Sequence, residues 1–187
     1  MKSRVTIRSK ARRIKLLLLD VDGVMTDGGL YYSAGGAEMK RFHAHDGFGV
    51  VRAHEHGLKL GIISGRSSPV VEARAKVLKI DEVYLDAMDK LAVMRGIQER
   101  LNLRDDEIGF IGDDLFDLPL LSVVGLSAAP PNAQPGVRSA VDYVTRAPGG
   151  GGAVREIIEL ILDEQKERPG GLRRGRSQQP VHRRKRR

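Results

Sequence analysis

The chain has 187 residues, of which 41% are hydrophobic, and it contains no cysteine and no tryptophan. This length and this apolar share predict one globular domain with a packed core, and they exclude a wholly disordered chain. The absence of cysteine excludes disulfide bonds, thiolate catalysis and cysteine-ligated metal clusters. Any metal must therefore bind to oxygen or histidine ligands.

The net charge of +8 is carried by the two ends of the chain. Residues 1–15 hold 7 basic side chains, residues 168–187 hold 9, and neither stretch holds an acidic one. Residues 16–167 hold 16 basic and 24 acidic side chains, a charge of −8. We therefore expect a basic, solvated N-terminal arm over 1–13, an acidic folded domain over 14–167 and a disordered basic tail at the C-terminal end. The apolar runs near the start are too short for a signal peptide or a membrane span, which favours a cytoplasmic protein without a membrane partner.

Short apolar runs alternate with helical patterns from Ile14 onward. This alternation is typical of the α/β class, in which crossover helices join the strands of a three-layer, Rossmann-like parallel sheet. Residues 30–33 and 38–42, on either side of the small residues 34–37, interrupt it and predict a β-hairpin flap over about 29–42. The predicted strands of the sheet are 15–19, 58–63, 82–85, 108–111, 126–128 and 143–144, and the predicted helices are 47–55, 69–78, 89–101, 115–123 and 153–165.

Polar residues follow four of the predicted strands. In an open parallel sheet, the carboxyl ends of the strands form the crevice in which ligands bind, so these residues should converge. In chain order they are Asp20 with Asp22, the turn Ser64-Gly65-Arg66, Lys90, and the run Gly112-Asp113-Asp114-Leu115-Phe116-Asp117.

The chemistry of this set indicates phosphoryl transfer. Crowded carboxylates repel one another unless a cation neutralises them, and hard oxygen ligands suit Mg²⁺, with Mn²⁺ or Co²⁺ as possible substitutes. An aspartate can attack phosphorus and form an aspartyl phosphate, while a second carboxylate two residues on protonates the leaving alkoxide. Lys90, the Ser64 hydroxyl and backbone amides near Gly23 can stabilise the charge of the transferred group.

The four segments resemble the motifs of the haloacid dehalogenase superfamily of phosphatases. The resemblance implies that Asp20 is the nucleophile and that Asp22 is the general acid and base. It implies that Asp20, Asp113 and the backbone carbonyl of Asp22 hold Mg²⁺, and that Lys90 contacts the phosphoryl group. The remaining site residues that it implies are Gly23, Ser64, Gly65 and Arg66 for phosphate and substrate, and Asp114 and Asp117 as supporting residues.

Two further segments, 42–49 and 149–156, are similar to the branch of this superfamily that hydrolyses 3-deoxy-D-manno-octulosonate 8-phosphate (KDO 8-phosphate) in lipopolysaccharide synthesis. The similarity runs from about Ile14 to Leu162. A planar guanidinium at Arg66 can bind the carboxylate of such a sugar acid. The resemblance therefore implies a small sugar phosphate as substrate.

Three other functions also fit parts of the sequence. A phosphatase for a nine-carbon sugar-acid 9-phosphate would keep the same chemistry. A nucleic-acid phosphatase is suggested by the basic tail, although the acidic domain and a tail without aromatic residues disfavour it. A receiver-like phospho-acceptor domain also has acids and a lysine at strand ends, but Asp22 supplies an acid-base group that favours rapid turnover over a long-lived signal.

The spacing of the motifs leaves no room for a separate cap domain that would cover the crevice. Ser64 follows Asp22 by only 42 positions, and Lys90 follows Ser64 by 26. Closure and the exclusion of water strengthen electrostatic stabilisation, so an open crevice needs another cover. We expect the hairpin flap to self-associate and a neighbouring subunit to help cover each site. The resemblance implies a homotetramer.

Overall fold

The computed structural model describes residues 4–36, 38–80 and 82–166, and the expected basic tail lies outside them. None of the helices in these ranges is long and apolar enough to cross a membrane. The strands are β1 (Leu16–Leu19), β2 (Tyr31–Tyr32), β3 (Glu38–Met39), β4 (Lys59–Ile63), β5 (Glu82–Tyr84), β6 (Ile108–Ile111), β7 (Leu126–Ala129) and β8 (Tyr143–Val144), and the helices are α1 (Arg4–Ala11), α2 (Ala44–Glu55), α3 (Pro69–Leu78), α4 (Lys90–Leu101), α5 (Leu118–Leu121), α6 (Pro135–Ala140) and α7 (Ala153–Lys166), with 3₁₀ turns at Asp105–Glu107 and Leu115–Asp117.

Six parallel strands form the main sheet in the order β5, β4, β1, β6, β7, β8. The central strand β1 pairs with β4 on one side and with β6 on the other. The chain therefore winds away from β1 in one direction and later returns on its other side. This reversal of strand order opens a crevice at the carboxyl ends of the strands. The parallel α/β sheet predicted from the alternating pattern is confirmed.

The leucines of β1 supply both faces of the core. Leu17 and Leu19 belong to a cluster that includes side chains of α2, α3 and α7, whereas Leu16 and Leu18 belong to one that includes side chains of α4, α5 and α6. All four leucines are fully buried. A central strand covered on both faces is continuously apolar, and this explains why the run ends only at Asp20.

The flap is a two-stranded antiparallel hairpin in which Tyr31 lies opposite Met39 and Tyr32 lies opposite Glu38. Its strands are shorter than the sequence predicts. In the described ranges, only this hairpin and α2 separate β1 from β4, and only α3 separates β4 from β5. Neither connection contains a cap domain.

The N-terminal segment is not the solvated arm that its charge predicts. Helix α1 packs on α7, and Ala11 is completely buried. Lys10 Nζ lies 2.6 Å from Asp142 Oδ2, and Arg8 and Arg12 each lie 3.2 Å from the carboxylate of Glu164. Counting charge along the chain does not reveal these pairs, because both acidic partners come from distant parts of the sequence.

Replacing Lys10 with methionine tests whether α1 stabilises the domain. Because the Asp142 side chain is 1% exposed, Lys10→Met should lower the free energy of unfolding by about 1–3 kcal/mol. The matched control is Arg13→Met, whose partner Asp106 is 40% exposed and whose loss should cost less than about 1 kcal/mol. Urea denaturation of the three proteins measures both values. Equal, small losses would contradict a stabilising role for α1.

Candidate active site

The carboxyl ends of β1, β4 and β6 open into a cleft that brings together every residue predicted for the site. The lining also contains Phe116, which belongs to the predicted run but had no role of its own, and Gly28, which the sequence did not single out. The complete lining is Asp20, Asp22, Gly23, Gly28, Ser64, Gly65, Arg66, Lys90, Asp113, Asp114, Phe116 and Asp117.

A buried lysine lies among the carboxylates. Lys90, the first residue of α4, places its Nζ 2.9 Å from Asp20 Oδ1 and 2.6 Å from Asp117 Oδ1. Burial opposes the charged form of Lys90, but the charges of Asp20 and Asp117 outweigh burial and raise the pKa of the lysine above its ordinary value. The lysine is therefore a fixed positive charge beside the proposed nucleophile.

Asp117 supports the site from within the protein and is completely buried. Its Oδ1 accepts a hydrogen bond from Lys90, and its Oδ2 accepts hydrogen bonds of 2.9 Å and 3.1 Å from the amides of Asp113 and Asp114. Asp114 is exposed, and its carboxylate accepts a hydrogen bond from the Leu115 amide at the start of the 3₁₀ turn. Asp117 thus fixes both the lysine and the loop that carries Asp113.

Three carboxylates form a cluster that suits a divalent cation. Oxygens of Asp20, Asp113 and Asp117 all lie within 4.8 Å of one another. Burial raises the pKa of Asp20 to about 6, against the opposing charge of Lys90. Burial, followed by repulsion from Asp20 and Asp117, raises the pKa of Asp113 to about 8. Because both oxygens of Asp117 already accept hydrogen bonds, Asp20 and Asp113 are the carboxylates that best fit a hard cation such as Mg²⁺.

Close backbone contacts bring the first motif against the fourth. Gly23 has a φ of +79°, and a Cβ at this position would lie 2.0 Å from Asp113 Oδ2. A Cβ on Gly149 would lie 1.7 Å from the Gly23 carbonyl oxygen, so the glycine-rich segment before α7 packs directly on the loop after β1. Asn132 donates a hydrogen bond to that oxygen and accepts one from the Gly149 amide. Nothing in the sequence distinguishes Asn132 from an ordinary loop residue.

The flap reaches the cleft through charged side chains that the sequence reasoning also missed. Lys40 Nζ contacts the carboxylates of Asp22 and Glu38. Ser68, whose position before α3 suggests a helix cap, instead donates its hydroxyl to Glu38 Oε2 at 2.5 Å. Arg66 Nη2 donates to the Tyr32 hydroxyl at 2.7 Å. A lysine next to an exposed hairpin looks like a solvated side chain in sequence, so only the fold reveals Lys40.

Fold and cleft together define the class of the protein. The model of the haloacid dehalogenase-like hydrolase family matches residues 79–157, which include Lys90 and the run from Asp113 to Asp117. The chain supplies the first two motifs upstream of this match, and all four meet in the cleft.

Known relatives make the family more specific. The chain is 41% identical over 154 residues, or 82% of each chain, to the 3-deoxy-D-manno-octulosonate 8-phosphate phosphatase KdsC of Escherichia coli (strain K12). It is 40% identical to the Moraxella catarrhalis phosphatase of that name, solved with magnesium ion, phosphate ion and KDO, with a TM-score of 0.86 over 88% of this chain and 94% of that one. The cobalt-bound Haemophilus influenzae phosphatase is 36% identical, with a TM-score of 0.80 over 83% and 91% of the two chains. The chain therefore belongs to the haloacid dehalogenase-like hydrolases and, among them, to the family of the KDO 8-phosphate phosphatases.

The carboxylate cluster predicts how stability depends on pH without metal. The pKa of Asp113 rises from 3.8 to about 8 on folding, so the folded protein holds a proton that the unfolded chain loses. Stability contributed by this proton is present at low pH and is lost as the pH rises through about 8. In chelator at about pH 9, Asp113→Asn should be more stable than the parent by about 1–3 kcal/mol, after allowance for partial exposure.

Thermal and urea denaturation of both proteins at several pH values measure this difference, which should shrink towards about pH 5. Added Mg²⁺ should stabilise the parent and have little effect on Asp113→Asn. A variant less stable than the parent at every pH, with an unchanged response to Mg²⁺, would contradict the proposed cation site.

Proposed function

We propose that this protein is a Mg²⁺-dependent phosphatase that hydrolyses KDO 8-phosphate to the free sugar acid and phosphate. The observation that carries the proposal is the meeting of Asp20, Lys90 and Asp113 in one cleft of a member of this phosphatase family. The same proposal places the enzyme in the cytoplasm, where phosphorylated sugars are retained by their charge.

Asp20 is the proposed nucleophile. Its carboxylate ends β1 at the base of the cleft, where the Val21 amide donates a hydrogen bond of 2.7 Å to Oδ1 and Lys90 contacts the same oxygen. These contacts orient the side chain and favour its ionised form. Bound between Asp20 and Asp113, Mg²⁺ would supply positive charge to the phosphate oxygens and relieve the repulsion between the two carboxylates.

Lys90 and Ser64 are proposed to bind the transferred phosphoryl group. Ser64 is buried, and its backbone is fixed by hydrogen bonds to Tyr84 and Ala87 beyond the end of β4. Lys90 is held by the buried Asp117, so its charge lies in place before the substrate enters. Donors that are already oriented stabilise charge on the phosphoryl oxygens without reorganising during the reaction.

Asp22 is the proposed general acid and base. As Asp20 attacks phosphorus, the bond to the sugar oxygen breaks and its electron pair stays with that oxygen, which takes a proton from Asp22. In the second step Asp22 removes a proton from water, and the water oxygen attacks phosphorus. The bond between phosphorus and the Asp20 oxygen breaks, so that inorganic phosphate leaves and Asp20 becomes a free carboxylate again. The Asp22 side chain is 25% exposed, so it can exchange protons with solvent between turnovers.

Arg66 is the proposed contact for the carboxylate of the sugar acid. It lies at the mouth of the cleft, is 44% exposed, and has Tyr32 and Glu38 of the flap as neighbours. Its guanidinium can offer two parallel N–H donors to a carboxylate. The acidic charge of the cleft disfavours nucleic acid as a substrate, whereas a small sugar acid needs only one cation at the mouth.

Phosphate release from three substrates tests the activity. The protein with Mg²⁺ should prefer KDO 8-phosphate over a nine-carbon sugar-acid 9-phosphate and a short 5′-phosphorylated oligonucleotide. Chelator should abolish the activity, and Asp20→Asn should lower it by at least about a thousandfold, because no covalent intermediate can form. Preference for the nine-carbon substrate would leave the chemistry in place and contradict the substrate. No release from any of them would contradict a phosphatase.

We further propose that the flap joins copies of the chain into a homotetramer. Four apolar side chains of the hairpin are between 45% and 59% exposed, namely Leu30, Tyr31, Tyr32 and Met39. Together they form an apolar surface. The two strands are also too short to be stable alone. Association would bury this surface and cover the open mouth of each cleft, in keeping with the family resemblance.

Charged substitutions on the flap test this assembly. Leu30→Glu with Met39→Glu should shift the light-scattering mass from four subunits towards one and lower kcat/KM for the sugar phosphate by about tenfold or more, because the cleft loses its cover. Val77→Glu is the matched control, since Val77 is 72% exposed on α3, nine positions beyond Ser68, the residue before this helix that contacts the flap. A fully active monomer would contradict the proposed role of the flap.

A further inference from the structure

Lys40 is the most buried charged group of the flap segment. Its side chain is only 1% exposed, although its neighbours Met39 and Arg41 are exposed. Its Nζ contacts Asp22 Oδ1 and lies 3.2 Å from Glu38 Oε1. A buried amine needs charged partners, and both partners of Lys40 are carboxylates, of which Asp22 lines the cleft.

A chain of hydrogen bonds connects Lys40 to the body of the domain. Glu38 accepts the Ser68 hydroxyl at Oε2, and Lys40 contacts its other oxygen, Oε1. Ser68 is itself buried immediately before α3. Lys40 is thereby held by the flap and by α3, and in turn it holds one oxygen of Asp22. The contact uses Oδ1 of Asp22 and does not involve Oδ2.

We propose that Lys40 is a positioning residue that holds the Asp22 carboxylate in place for proton transfer to the leaving oxygen of the substrate. The proposal rests on the general-acid role of Asp22 under the proposed function. Proton transfer requires the donor within about 2.6–3.2 Å of the leaving oxygen, and a short, partly exposed aspartate does not keep one rotamer without a partner. The ammonium of Lys40 donates a hydrogen bond to Oδ1 that supplies this restraint both when Asp22 is protonated and when it is ionised, because little water reaches Lys40 to compete for it.

This role differs from binding of substrate. A lysine that is 1% exposed and already paired with two carboxylates offers no face to an incoming sugar acid. Arg66, by contrast, is exposed at the mouth of the cleft. Loss of Lys40 should therefore affect the bond-breaking step for any substrate that needs protonation of its leaving group, whether or not that substrate has a carboxylate.

Three phosphate monoesters separate these possibilities through kcat/KM, which reports the steps up to formation of the aspartyl phosphate. KDO 8-phosphate has an alkoxide leaving group and a carboxylate, and arabinose 5-phosphate has the alkoxide leaving group alone. The leaving group of p-nitrophenyl phosphate is p-nitrophenolate, which departs without protonation. Lys40→Met should lower kcat/KM for both sugar phosphates by about ten- to a hundredfold and for the aryl phosphate by less than about threefold. Lys40→Arg should recover part of the loss.

Two further variants serve as controls. Asp22→Asn should show the same dependence on the leaving group, and adding Lys40→Met to it should change kcat/KM by less than about twofold, since the two act as one unit. Arg41→Met, which removes an exposed cation from the adjacent position, should leave all three rates near the parent value. If Lys40→Met does not fold, Glu38→Gln should give the same substrate pattern at smaller size.

Three results would overturn the proposal. An equal loss for all three substrates would mean that Lys40 only maintains the structure of the flap. A loss confined to KDO 8-phosphate, through a higher KM, would mean that Lys40 binds the carboxylate. If Asp22→Asn itself shows no dependence on the leaving group, the general-acid role fails, and the role of Lys40 falls with it.

Discussion

The ion pair of Lys90 with Asp20 and Asp117 is the interaction on which the rest of the site depends. Burying these charges is costly, and their attraction repays the cost only when every oxygen also has a partner. Asp117 meets this condition fully, through Lys90 and two backbone amides. Asp113 does not meet it, since burial and repulsion from its neighbours raise its pKa to about 8. The cleft is therefore built with an excess of negative charge that a divalent cation would balance.

Close backbone contacts hold the loops around the cleft against one another. A positive φ at Gly23 lets the loop after β1 lie against Asp113, and Gly149 lets the segment before α7 lie against Gly23. Asn132 joins these two loops through its amide group. The proposed nucleophile and the proposed cation site thus rest on three elements that are far apart in sequence, and close packing transmits any shift in one loop to the others.

The flap adds a second layer of charged contacts, in which Ser68, Glu38 and Lys40 lead to Asp22. The hairpin is small, and its apolar side chains are exposed. One chain therefore holds the proposed reacting groups, and under the proposed assembly a second copy of the chain covers them. The same hairpin links both needs, because its inner charges contact the site and its outer face is apolar.

Much of this protein follows from its sequence alone. The run Leu16–Leu19 before Asp20 and the alternation of strands and helices determine a parallel sheet, because a doubly covered strand must be apolar throughout. Polar residues at the strand ends determine the cleft, since parallel strands align their carboxyl ends. Only the tertiary structure decided the rest. Four contacts join residues that are remote in sequence: Lys10 with Asp142, Lys40 with Asp22, Lys90 with Asp117, and Asn132 with Gly23. The charge of a side chain does not tell which distant group it will contact when water is removed.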